Sequence, residues 1–267
     1  MNSLRTLALE AENVRCRTPS ATVHGSAGGD AAPGAQMTEL RDIAEGLWVC
    51  DRAFSTLGVQ SSLRMVVIRL GSGELFLHSP VALNDRLKQE LDALGPVRHV
   101  VAPNMAHHLF ISPYSKAFPD ATLWGAPGLK EKVPALPLHR VLSEATDAPW
   151  SRELDQLIVA GIPRINEVAF LHRPSRSLLL TDLAIHFPHS QQADWWTRAV
   201  LKFQKVYDCP PRPSAFLKHL TKDEPALRAS VDRLLSWDFD RLVLAHGDIF
   251  YPGGRETLRA AFDYLGH

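Results

Sequence analysis

The apolar residues of this chain come in short runs, and three of those runs end in residues that bind metals. "VRHVVAPNMAHH" (97–108) closes on His107 and His108, "SLLLTD" (177–182) on Asp182, and "RLVLAHGD" (241–248) on His246 and Asp248. Runs of this size, bounded by turn residues, read as buried strands. In layered α/β folds, ligands bind beyond the ends of such strands. The chain is therefore constrained to a sheet-centred architecture with chemistry at strand ends.

Further strands are expected over 47–54, 64–70, 74–80, 121–126, 154–161 and 166–173. "GSG" (71–73) and "PSR" (174–176) read as hairpin turns. An amphipathic helix is expected over 83–95, with Asn84 as its N-cap and Gly95 as its stop. Other helices are expected from His107 to about Ala117, over 192–207, over 223–236 and from Arg255 to Leu265. Two successive β-rich halves, each ending in helices, suggest sheets inside and helices outside. Residues 1–36 contain a Gly/Ala/Ser/Pro-rich stretch without periodicity and read as a disordered extension before a folded domain at 37–267.

Charge excludes some functions. Lys+Arg and Asp+Glu are both 29, so no net field recruits nucleic acid or an anionic membrane. Three scattered cysteines read as intracellular thiols. No apolar run approaches the ~20 residues of a membrane span. A cytoplasmic protein with a small-molecule substrate is the expectation, and a homodimer is a candidate assembly. Trp195, Trp196, Phe203 and Tyr207 can be core, pocket lining or a dimer face.

Each candidate ligand also has an ordinary structural reading. The His107–His108 pair could cap a helix or face solvent, Asp182 fits an Asx-turn, and Gly247 could serve a tight turn. Two or three imidazoles and a carboxylate are nonetheless a usual set for Zn²⁺, Fe or Mn²⁺. Neighbours on a helix point about 100° apart. His107 and His108 can therefore share a metal only from a strand-to-helix turn, a conformation that Pro103 favours.

The order of the pieces resembles the metallo-β-lactamase superfamily. "EVAFLHRPSRSLLLTDL" looks like its hairpin leading to a metal-bridging Asp, and "LVLAHGD" like its final strand-His-Gly. The motifs "HSP" (78–80), "PNMAHHLF" (103–110) and "LLTDL" (179–183) are also similar to an uncharacterised family of that superfamily, a domain of unknown function. The resemblance covers roughly 45–265 and implies a four-layer αββα sandwich. It places Pro103 and Met105 where the superfamily has His-x-His, and Pro163 near its middle His. His107, His108, Asp182 and His246 then fall on the second metal site, every one of them able to coordinate.

The resemblance thus implies one divalent metal, Zn with Fe or Mn as alternatives, and a mononuclear metal-dependent hydrolase. Asp182 serves as ligand and catalytic carboxylate, and Asn104 as a substrate-orienting group. Glu167 or Asp248 serves as general base or as a partner to a ligand, and His78 could rebuild part of the first site. The competing expectation is a metal-free, non-catalytic descendant that keeps the fold for binding. Redox chemistry at iron is a third reading that no feature of the sequence favours.

Overall fold

The computed structural model describes residues 38–144, 147–188 and 193–266. The expected extension at 1–36 lies outside the described residues.

One sheet has seven strands in chain order: β1 (Arg41–Ala44), β2 (Leu47–Thr56), β3 (Val59–Arg69), β4 (Leu75–His78), β5 (Val97–Ala102), β6 (Thr122–Gly125) and β7 (Arg140–Val141). β1 to β4 run antiparallel, and β4 to β7 are parallel. The parallel steps are bridged by α1 (Asp85–Leu94), α2 (Ser112–Ala117) and α3 (Leu129–Lys132). The second sheet contains β8 (Leu154–Ile158), β9 (Val168–His172) and β10 (Ser177–Leu180). After α4 (Trp195–Phe203), α5 (Ala215–Leu220) and α6 (Glu224–Ser236) come β11 (Arg241–Leu244), β12 (Ile249–Phe250) and α7 (Gly254–Ala261). Its strand order is β12-β11-β10-β9-β8, with β10 and β11 parallel.

Side-chain alternation along each strand makes the layers. In β4, Leu75 and Leu77 face α1 with Leu87 and Leu91, whereas Phe76 faces the second sheet. In β5, Val100 and Ala102 face the helices and Val101 faces inward. The second sheet follows the same rule. Phe170, Leu179 and Val243 face the first sheet, while Leu171, Leu178, Leu180, Leu242 and Leu244 pack on α6 and α7. Period-2 strands buried on both faces read as continuous apolar runs, which is why "RLVL" and "SLLL" show no alternation. The result is helix, sheet, sheet, helix: the αββα sandwich. Trp150 joins the two sheets, its ring 4.8 Å from Phe76 in an edge-on contact.

Local signals place the elements. Asn84 caps α1 by accepting from the Leu87 amide at 2.8 Å, and the Gly95 amide closes its end on Leu91. Such a cap contributes about 1 kcal/mol. Residues 71–73 turn β3 into antiparallel β4, and 174–176 turn β9 into β10. The helix expected from His107 starts only at Ser112, because residues 107–111 form turns. β1, β7 and β12 are too short to show a pattern in sequence.

Candidate metal centre

β10 and β11 run parallel with Leu180 opposite Leu244. Two residues beyond those partners, the chain carries Asp182 on one strand and His246 on the other. Parallel register thus delivers the carboxylate and the imidazole to the same level. The third group crosses from the first sheet. After β5, the Asn104 side chain accepts from the amides of Ala106 and His107, both at 2.7 Å, and turns the chain sharply. That turn sends His107 toward the second sheet, to which Pro103 and Met105 are tied through Val168 and Ile165.

One ligand atom each from His107, Asp182 and His246 lies within 4.8 Å of the other two. His107 Nε2 is 3.4 Å from Asp182 Oδ2, and His246 Nε2 is 3.5 Å from Asp182 Oδ1. Burial alone would raise the Asp182 carboxyl pKa. The two imidazoles outweigh it by attraction and hydrogen bonding and hold the group well below the ordinary carboxylate range. Asn104 Nδ2 also donates to Asp182 Oδ2 at 2.7 Å.

The outward nitrogens of both rings are engaged. His246 Nδ1 lies 2.6 Å from the Ser62 carbonyl oxygen, and Phe187 stacks on the ring. A carbonyl only accepts, so Nδ1 carries the proton. With Nδ1 so committed, Nε2 is the ring nitrogen turned toward the carboxylate. A cation held between Nε2 and the carboxylate would be coordinated by both. A charge-assisted N–H···O bond would be about 2.7–2.9 Å. The observed 3.4 and 3.5 Å are instead close to the edge, about 3.3–3.4 Å, of a tetrahedron with 2.0–2.1 Å arms to zinc. His107 Nδ1 lies 2.8 Å from the Ser79 hydroxyl, an outer hydrogen bond that fixes the ring's orientation. The donor set fits a divalent metal.

Other candidate residues sit differently. His108 is not part of the group. Its ring lies beside Lys132, and burial, then that cation, push its pKa down to about 4. Asn104 is fully buried and gives Nδ2 to Thr181 and Asp182, while Oδ1 takes two amides. All four of its bonds hold the centre together. Glu167, also buried, accepts the amides of Thr181, Asp182 and Leu183 at 2.6, 2.7 and 2.8 Å and so fixes the loop carrying Asp182. Burial and the Asp182 charge push its pKa up to about 7 against those amides.

Asp248 is exposed and lies 3.5 Å from His186 Nδ1. His78 is buried against Phe170, with neither ring nitrogen hydrogen-bonded among the described residues, and burial takes its pKa down to about 3.

Ser79, Ser62 and Phe187 escaped the sequence reading, because each reaches its histidine from a distant segment. Ser79 had one signal, the "HSP" motif. Its φ of +58° is rare for a residue other than glycine and aims the hydroxyl at His107. Gly247 follows His246 with φ +93°, where a Cβ would lie 2.0 Å from the His186 carbonyl oxygen. Only glycine permits that close approach.

The family described as Domain of unknown function (DUF4336) matches residues 44–203. The chain belongs to this family. No curated protein matches it. Among solved structures, this DUF4336 member is similar to a metallo-beta-lactamase from Pontibacter korlensis, with TM-score 0.58 and 11% identity over 86% of this chain and 100% of that one. It is also similar to the metallo-beta-lactamase FIM-1 from Pseudomonas aeruginosa in its mono-zinc form, with TM-score 0.59 and 12% identity over 85% and 94%. A third match is the metal-soaked Flv1 flavodiiron core from Synechocystis sp. PCC6803, with TM-score 0.59 and 12% identity over 85% and 60%. These likenesses establish that the DUF4336 chain has the metallo-β-lactamase fold.

Proposed function

We propose that this protein is a mononuclear metal-dependent hydrolase acting on a small-molecule substrate, with zinc the first candidate metal. The carrying observation is His246, whose Nδ1 proton is committed to Ser62 so that Nε2 faces the Asp182 carboxylate. Three protein donors with a fourth position left open are the usual catalytic pattern for zinc. Such a cation would supply Lewis acidity, polarising a carbonyl or phosphoryl oxygen and acidifying water.

The remaining work falls to this chain's residues. Ser62 and Ser79 fix the two imidazoles, and Asn104 and Glu167 hold Asp182 in place. Asp248, exposed two residues beyond His246, is the carboxylate offered as proton acceptor. His108 is a flanking group in this reading rather than a fourth ligand. FIM-1, on the same fold, is known in a mono-zinc form, so the fold accommodates a single metal.

The test strips the protein with a chelator, reloads it with Zn²⁺, Mn²⁺ or Fe²⁺, and assays chromogenic lactam, ester, thioester and phosphodiester substrates. Hydrolysis that follows metal occupancy and disappears in His246→Ala supports the proposal. A folded protein that takes up none of these metals supports the metal-free binding descendant instead.

A further inference from the structure

Among the described residues, four of the six exposed large aromatic side chains lie on α4 and α5. α4 leaves Trp195, Trp196 and Phe203 at 73%, 46% and 79% exposure, and Phe216 at the start of α5 adds 56%. At about 100° per residue, Trp195, Ala199, Phe203 and Trp196 share a stripe roughly 100° wide, while Thr197 and Leu201 on the other side are buried. The Phe216 amide donates to the Gln204 side chain at 2.9 Å, which sets that ring beside the end of the stripe. At the other end, the Trp196 ring approaches Gly58, next to Leu57 at 66% exposure. Soluble surfaces rarely expose contiguous large aromatics without a partner.

Charge identifies the partner. From the α4 cap to just past the end of α5, residues 194–222 contain Arg198, Lys202, Lys205, Arg212, Lys218 and Lys222 against two acids, Asp194 and Asp208, although the whole chain is neutral. Among the described residues, none of these six cations forms a salt bridge. Arg198 and Lys202 flank the edge of the stripe next to Trp195. Aromatic rings bordered by lysine and arginine match the boundary of an anionic bilayer, where rings enter the headgroup layer and cations meet the lipid charge. Two copies meeting face to face would bring two such cationic sets together, which like-charge repulsion disfavours.

We propose that the α4–α5 unit is a peripheral docking surface for an anionic lipid bilayer. No helix of the described residues is long and apolar enough to cross a membrane, so the contact is interfacial. It also lies near the metal centre, one strand residue removed. Thr197 Oγ1 accepts the Gln60 amide at 3.0 Å, and the adjacent Ser61 hydroxyl is 3.3 Å from His246 Nδ1. Docking would therefore hold the centre close to the lipid surface. The overall neutrality that argued against membrane recruitment conceals this local asymmetry.

The test is flotation of the purified full chain with vesicles of phosphatidylcholine alone and of phosphatidylcholine mixed equally with phosphatidylglycerol. Binding to the mixed vesicles is expected to be at least ~10-fold tighter and to weaken with salt. Trp195→Ser with Phe203→Ser should abolish flotation. Lys202→Glu with Lys205→Glu should remove the preference for anionic lipid by at least ~10-fold. All four positions are exposed, and unchanged thermal melting will confirm folding. No flotation, or flotation indifferent to these changes, overturns the proposal. So does a dimer in light scattering that the Trp195→Ser and Phe203→Ser pair dissolves, since the surface would then serve a second copy.

Discussion

The Nδ1 nitrogen of His246 lies 2.6 Å from the main-chain carbonyl of Ser62, a contact between the two sheets that decides which nitrogen His246 presents to Asp182. Removing the ring removes one of three donors. His246→Ala is expected to lower zinc affinity by more than the ~10–100-fold typical of an outer-shell change. Competition against a chromophoric chelator measures it, and an affinity equal to wild type would exclude His246 from the centre.

Ser79 tests the same logic one step further out. Its hydroxyl lies 2.8 Å from His107 Nδ1 on a backbone with φ +58°. Serine and alanine bear similar strain there, so Ser79→Ala isolates the hydrogen bond. Zinc affinity should fall ~10–100-fold with little change in urea midpoint. A lowered midpoint with unchanged affinity would make Ser79 purely structural.

Glu167 is expected to act through stability. One of its oxygens accepts Thr181 N, and the other accepts both Asp182 N and Leu183 N. In Glu167→Gln, an amide NH₂ must face at least one of these buried N–H groups whichever way it is turned. The expected loss is about 2 kcal/mol, read from urea unfolding of the metal-free protein. Stability equal to wild type would contradict the role.

The longer strands and the hairpin turns at 71–73 and 174–176 were legible because apolar runs and turn residues are local signals. The ends of those runs also marked Asp182, His246 and the His107–His108 pair. Which of the two histidines points inward was not legible. It depends on the Asn104 turn, whose amide grips the chain on one side and Asp182 on the other. Asn104 likewise read as a group for substrate, yet its hydrogen bonds are spent on the fold. The exposed ring stripe of α4 read as core or interface, since helical spacing alone does not say which face meets solvent.

Acid should destabilise the fold through histidines far from the centre. Burial pushes His172 down to about 4 from 6.5, and His99 is lowered by the same cause. Below 6.5 the unfolded chain binds protons that the folded state refuses. The stabilisation held above 6.5 is therefore lost as pH falls toward about 4. For His172, buried beside Ser175 at 2.7 Å, the loss approaches about 3 kcal/mol at the low end. Urea unfolding across that window should show it, and His172→Gln should flatten the slope. An unchanged slope would contradict the assignment.

The most direct measurement is elemental analysis of the purified protein beside its His107→Ala, Asp182→Asn and His246→Ala variants. About one equivalent of zinc, iron or manganese per chain is expected, lost in each variant while the circular dichroism of the sandwich persists. A folded wild-type protein that carries no metal, and takes none up on reloading, would contradict this expectation.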